Sequence, residues 1–134
     1  MARPFLRVTS VTIGTDRPSE LAHFYSELLG WPVSADEPPV PGDPVRGGWA
    51  QTRPPDGEPG PTLNFEHERY FVAPVWPAQE GHQTASQHLD VWVEDLEAAV
   101  AWAVSRGARL AGVQPQEDVR VMLDPSGHPF CLFL

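Results

Sequence analysis

Apolar and polar positions run through this chain twice in nearly the same order. Over residues 6–14, Val11 and Ile13 fall on one side and Ser10 and Thr12 on the other, the period-two pattern of a half-buried strand. The period then changes. Leu21, Phe24, Leu28 and Leu29 share one helical stripe, Pro18 suits a first turn, Asp16 is the candidate cap, and Gly30 stops the helix. Residues 31–35 predict a second strand and 36–44 an acidic, Pro-rich loop. Residues 48–52 and 62–68 predict two further strands, separated by the Pro54-Pro55-Asp56-Gly57 turn. The first half therefore reads as strand, helix and three strands.

After an aperiodic connection over 69–85 the order returns. Leu89-Asp90-Val91-Trp92-Val93-Glu94-Asp95 reads as a strand ending in an acidic cap, 96–105 as a helix, and Gly107 as its stop. Strands are predicted near 108–113, 118–123 and 129–134. Asp124-Pro125-Ser126-Gly127 has the chemistry of a tight hairpin turn. A shift of 78 residues lays Ser10 on His88, Val11 on Leu89 and Ile13 on Val91, with apolar faces in phase. A shift anchored on Asp16 and Asp95 instead sets Thr9 opposite His88, but it flips one apolar face. Such a repeat predicts two modules, about 5–68 and 86–134, sharing one core within a single domain, 1–134, with any ligand site between the copies.

Composition narrows the chemistry. The 134 residues are 41% apolar with five Trp and six Phe, enough for a sizeable core, while sixteen Pro and eleven Gly imply many turns. Nine Arg and no Lys against eighteen acids give a net charge of -9, which repels a phosphate backbone, so no nucleic-acid partner is expected. Without Lys there is no Schiff-base nucleophile and no phosphate-binding P-loop lysine. A single Cys131 rules out an intramolecular disulfide, and the start Met-Ala-Arg-Pro-Phe-Leu-Arg lacks a secretory apolar run, so a cytoplasmic location is expected. No stretch approaches the roughly 20 apolar residues that cross a bilayer. No membrane partner is expected.

Strand parity then selects candidate residues. His88, Asp90 and Trp92 share one face, where His88 beside Asp90 has the make-up of a general base or an orienting donor near neutral pH, and Trp92 that of a flat pocket wall. Glu66 opens the mixed-charge run Glu66-His67-Glu68-Arg69, which reads either as a solvated strand end or as a carboxylate reaching a cavity. Cys131, between Phe130 and Leu132, reads as a packed thiol. His128 reads as a surface turn residue, and His23 and His82 carry no signal beyond exposure.

Taken together, Phe24-Tyr25, Leu28-Leu29-Gly30-Trp31, His88-Leu89-Asp90, Val93-Glu94-Asp95-Leu96-Glu97 and Asp124-Pro125-Ser126-Gly127-His128-Pro129-Phe130-Cys131 give an order and spacing that resemble the vicinal oxygen chelate superfamily. That superfamily comprises glyoxalases, bleomycin-resistance proteins and extradiol dioxygenases. The resemblance spans nearly the whole chain and is nearest to its glyoxalase-like branch. It implies an α+β fold of two βαβββ modules whose mixed sheets curve into a cup, and a homodimer. Metal-using members take His, Gln or Glu ligands from the first and last strands of each module. The matching positions hold Ser10, then Asn64 or Glu66, then His88, then Cys131.

A hard divalent metal needs about three imidazole or carboxylate ligands, which this set does not supply. Zinc has a possible set in His88, Cys131 and Glu66. The leading expectation is therefore a protein that holds a small aromatic or flat organic ligand between its modules with no cofactor and no metal. Ser10, Trp49, Asn64, Glu66, His88, Asp90, Trp92 and Cys131 are the binding candidates, and His88 and Glu66 the catalytic ones. The alternatives are a metal-dependent lyase, isomerase or dioxygenase using His88, Glu66 and Cys131 or a partner chain's ligands, and a protein-interaction module with no small ligand.

Overall fold

The computed structural model describes residues 1–134. The first half forms β1 (Ser10–Thr15), α1 (Pro18–Leu29), β2 (Val33–Glu37), β3 (Trp49–Thr52) and β4 (Thr62–His67). The second forms β5 (Leu89–Trp92), α2 (Leu96–Arg106), β6 (Arg109–Leu110), β7 (Val119–Leu123) and β8 (Pro129–Phe133). The sheets have equivalent orders, β1-β4-β3-β2 and β5-β8-β7-β6, each with its first and last strands parallel and the other pairs antiparallel. The repeat in the sequence is thus a repeat of topology, and the fold is α+β with two βαβββ modules.

Register explains the apolar alternation. Val11 lies opposite Leu63 and Ile13 opposite Phe65, while Leu89 lies opposite Phe130 and Val91 opposite Leu132. These side chains all turn toward the helices. Leu21, Phe24 and Tyr25 of α1 bury against Leu63 and Phe65 of the first sheet and Met122, Phe130 and Leu132 of the second. The Tyr25 ring stacks on Phe65 at 5.5 Å and meets Phe130 edge-on at 6.1 Å. Each such side chain contributes about 1.5–3 kcal/mol through removal from water. No strand of one sheet pairs with the other sheet, so α1 is what the modules share.

The two helices begin differently. Asp95 caps α2, its carboxylate accepting from the Ala98 N–H at 3.0 Å. Asp16, the expected cap of α1, does not cap it. Arg17 occupies that position, and Asp16 turns to the Arg17 guanidinium at 3.4 Å while the Thr15 hydroxyl accepts the Arg17 N–H at 3.1 Å. Both helices end on a left-handed glycine, Gly30 at φ 71° and Gly107 at φ 116°, conformations a side chain disfavours.

Three strand boundaries move. The strand expected at 6–14 begins only at Ser10, and the preceding residues are exposed. The second strand runs Val33–Glu37 rather than 31–35, because the Trp31 N–H and carbonyl both bond to Ser26 and complete the helix end. The strand expected at 108–113 shrinks to Arg109–Leu110. Beyond it the Gln114 side chain takes over the edge of β7, donating to the Val121 carbonyl at 2.9 Å and accepting its N–H at 2.8 Å.

A polar seam fixes the modules to one another. The Thr15 and Ser126 hydroxyls bond at 2.7 Å in a buried position, and Arg17 donates to the Pro125 carbonyl at 2.8 Å. His128 is not a surface turn residue. Its Nε2 lies 2.8 Å from the Gly14 carbonyl, because the β7–β8 turn docks against the end of β1 and the start of α1. The Trp102 indole donates to the Leu28 carbonyl at 3.1 Å and ties α2 to α1.

Candidate functional site

Beside this seam, β1, the connection after β4 and the residues leading into β5 line an open cavity of about 870 Å³. Val11 and Ile13 of β1 and Tyr70, Phe71 and Val72 of the connection are among its apolar lining. Glu68, His88 and His128 are its carboxylate and imidazole groups, and Tyr25 reaches it from the core. The lining is mixed, with Thr12, Gln83, Thr84, Ser86 and Gln87 set among the apolar side chains, so a ligand there meets hydrogen-bonding groups as well as hydrophobic ones. Alternation brings Val11 and Ile13 there, and the aperiodic connection supplies the cover.

Of the candidates taken from the sequence, His88 lines this cavity. Ser10, Trp49, Asn64, Glu66, Asp90, Trp92 and Cys131 do not. On the first sheet, Trp49 stands opposite Glu66 and Gln51 opposite Asn64, with strand parity turning all four away from α1. Ser34 donates to Gln51 at 2.7 Å, Gln51 to Asn64 at 2.8 Å, and Asn64 reaches Thr12 at 3.5 Å, a row of amides and hydroxyls spanning all four strands. Ser10, at the start of β1, sits 3.4 Å from the Thr9 hydroxyl. Glu66 is exposed beside this row.

The second sheet gathers a different set. Asp90 pairs in register with Cys131, and His88 Nε2 lies 3.2 Å from the Asp90 carboxylate. Donor atoms of His88, Asp90 and Cys131 all fall within 4.8 Å of one another. Burial pushes the Cys131 thiol up from its ordinary pKa, and the adjacent Asp90 carboxylate pushes it further. Cys131 is half-buried rather than packed in the core, since Phe130 and Leu132 turn inward and the residue between them turns out. Trp92 is 63% exposed on the same face.

The superfamily's metal centre draws ligands from both modules, and the residues at those positions do not fit it. The carboxylate of Glu66 lies outside the His88, Asp90 and Cys131 group, and Asn64 is already committed to Gln51 and Thr12. Hard-metal chemistry of the two-module type lacks its ligands here.

Sequence reasoning missed Glu68, Tyr70, Phe71 and Val72 as lining residues, because a connection without periodicity shows no inner face. The signal present was an aromatic and apolar triplet inside a stretch otherwise polar and Pro-rich. It missed His128 because the Gly14 carbonyl lies 114 positions away in the chain.

Comparison with known proteins agrees with this architecture. The glyoxalase-like domain family model matches residues 10–133. No functionally curated protein matches the chain. Among solved structures, a glyoxalase family protein from Enterococcus faecalis is similar at 21% identity, with 97% of this chain and 98% of that one covered and a TM-score of 0.66. TnmS3, an antibiotic binding protein from Streptomyces sp. CB03234, is similar at 21% identity, with 98% of each chain covered and a TM-score of 0.58. A glyoxalase/bleomycin resistance protein/dioxygenase family enzyme from Burkholderia phytofirmans PsJN is similar at 15% identity, with 92% and 94% covered and a TM-score of 0.60. These likenesses establish the fold, and the family match extends from the first residue of β1 to the last of β8. The chain belongs to the glyoxalase-like domain family of the vicinal oxygen chelate superfamily.

Proposed function

We propose that this protein binds a small, flat organic molecule in the cavity between its modules, without the superfamily's two-module metal centre. The observation that carries this reading is the 870 Å³ cavity, with Val11, Ile13, Tyr70 and Phe71 in its lining. Such a lining favours a planar aromatic ligand, which stacks on rings and excludes water. His88 and Glu68 are its polar anchors. His88 is the group best placed for proton transfer, since its imidazole lines the cavity and can both accept and donate a proton. Glu66, the other catalytic candidate, serves in this reading only from the sheet face and not from the cavity. The fold shared with an antibiotic binding protein supports the ligand class.

The protein acts in this reading as a homodimer. The edge strands β2 and β6 stand open for pairing with a second copy. No helix is long and apolar enough to cross a membrane.

A native mass spectrum of the protein as purified, followed by calorimetric titration with a panel of planar aromatic compounds, tests the proposal. The expected result is a dimer mass and saturable binding by at least one member of the panel. A monomer that takes up none of them sinks it.

A further inference from the structure

We propose that His88, Asp90 and Cys131 form a zinc-class metal site confined to the second module, distinct in composition from the superfamily's two-module centre. Three features carry this. First, the donors already converge: all three lie within 4.8 Å, and His88 to Asp90 is 3.2 Å. Zinc bonds of about 2.0–2.3 Å at tetrahedral angles place ligand atoms about 3.5 Å apart, a spacing the present separations lie close to. Second, the backbone holds them in place. Asp90 and Cys131 are register partners on parallel β5 and β8, and His88, the residue before β5, brings its Nε2 to 3.2 Å from Asp90.

Third, the chemistry selects the metal. A thiolate, an imidazole and a carboxylate suit Zn(II) and its analogue Co(II), whereas Mg(II) and Ca(II) prefer all-oxygen sets. Binding replaces the Cys131 S–H proton, which leaves to solvent, by an S–metal bond, and uses the lone pair of one His88 ring nitrogen. The His88 and Asp90 side chains are 49% and 60% exposed, so the ion has an entry path and a fourth position open to water or an exogenous ligand. Nothing from the first module is required. Its nearest counterparts are the amide row through Asn64 and the exposed Glu66 on a separate sheet.

The test is Co(II) titration of the full-length, reduced protein after chelator treatment, read by absorbance and reversed with Zn(II). The expected result is a near-ultraviolet thiolate-to-cobalt band with tetrahedral visible bands, both bleached by zinc. Cys131→Ser is expected to abolish the thiolate band. His88→Ala and Asp90→Asn are expected to weaken binding by about tenfold or more. Ser10→Ala and Glu66→Gln are expected to leave binding within about twofold, below the tenfold or greater cost of losing even a ligand's supporting partner. All five sites lie at the surface or half-buried, and thermal melts establish that each variant is folded. Absence of a thiolate band in the wild-type protein overturns the proposal. So does equal loss in Glu66→Gln, which points to a two-module centre instead. Neither result bears on planar-ligand binding in the cavity, which Cys131 does not line.

Discussion

The Tyr25 hydroxyl donates to the Asp124 carboxylate at 2.8 Å across 99 positions of sequence, joining the helix of the first module to the β7–β8 turn of the second. The other carboxylate oxygen of Asp124 accepts the N–H groups of Ser126 and His128, at 2.9 and 3.0 Å. Both residues are fully buried, so neither has water to fall back on. Tyr25→Phe keeps the ring stacked on Phe65 but leaves a buried carboxylate short of a donor. It is expected to cost about 1–3 kcal/mol. Urea unfolding should show a lower midpoint with unchanged slope.

The same pair sets a pH signature. Burial, reinforced by Asp124, holds the Tyr25 phenol well above its ordinary value, and burial raises Asp124 despite the donors around it. A folded-state pKa above the unfolded one means that the native state keeps its proton longer. Stability from Tyr25 is therefore fully present below the ordinary phenol value of about 10 and lost as pH rises above it. Asp124 behaves likewise: its contribution is greatest below about 4 and declines as pH rises through its folded-state value. Asp124→Asn preserves the two acceptor bonds to backbone N–H. Its stability, followed by urea midpoints from pH 4 to 8, should be flatter than that of the wild-type protein. Tyr25→Phe should lose the alkaline decline that Tyr25 contributes.

The seam around this pair also marks where sequence reading stops. Alternation in β1, β4, β5 and β8 was legible because each strand buries one face on a helix, and that parity alone puts Cys131 opposite Phe130 and Leu132. The β7–β8 hairpin was legible from Pro125 and Gly127. That its turn docks on Gly14, Thr15 and Arg17 was not, because those bonds span more than a hundred positions and use residues common in any turn. The candidate site divides in the same way. Residues on periodic strands were found, and Tyr70, Phe71 and Val72 on the connection were not.

Helix capping offers a local contrast between two aspartates that look alike in sequence. Asp95 accepts the Ala98 N–H, so Asp95→Ala is expected to cost about 1 kcal/mol. Asp16 caps nothing and makes an exposed contact with Arg17, so Asp16→Ala should stay within about 0.5 kcal/mol of the wild-type protein. Thermal melts of the two variants side by side measure this. A larger loss for Asp16→Ala would mean that α1 begins one residue earlier.

Where the planar ligand sits is the last point that mutation resolves. Ala85 lines the cavity from the connection, away from the core cluster, so Ala85→Trp fills space without removing a packing contact. If the ligand occupies the cavity, this variant should bind planar aromatics about tenfold or more weakly, a loss of about 1.4 kcal/mol or more. Its melting temperature should stay close to the wild-type value, since it adds a side chain to open space rather than to a packed interior. Trp49→Ala and Trp92→Ala change residues that do not line the cavity and should leave affinity unaltered. The reverse pattern, with affinity lost in the two tryptophan variants and kept in Ala85→Trp, would move the ligand from the cavity onto the outward faces of the sheets. It would also restore Trp49, Asn64 and Trp92 as its contacts.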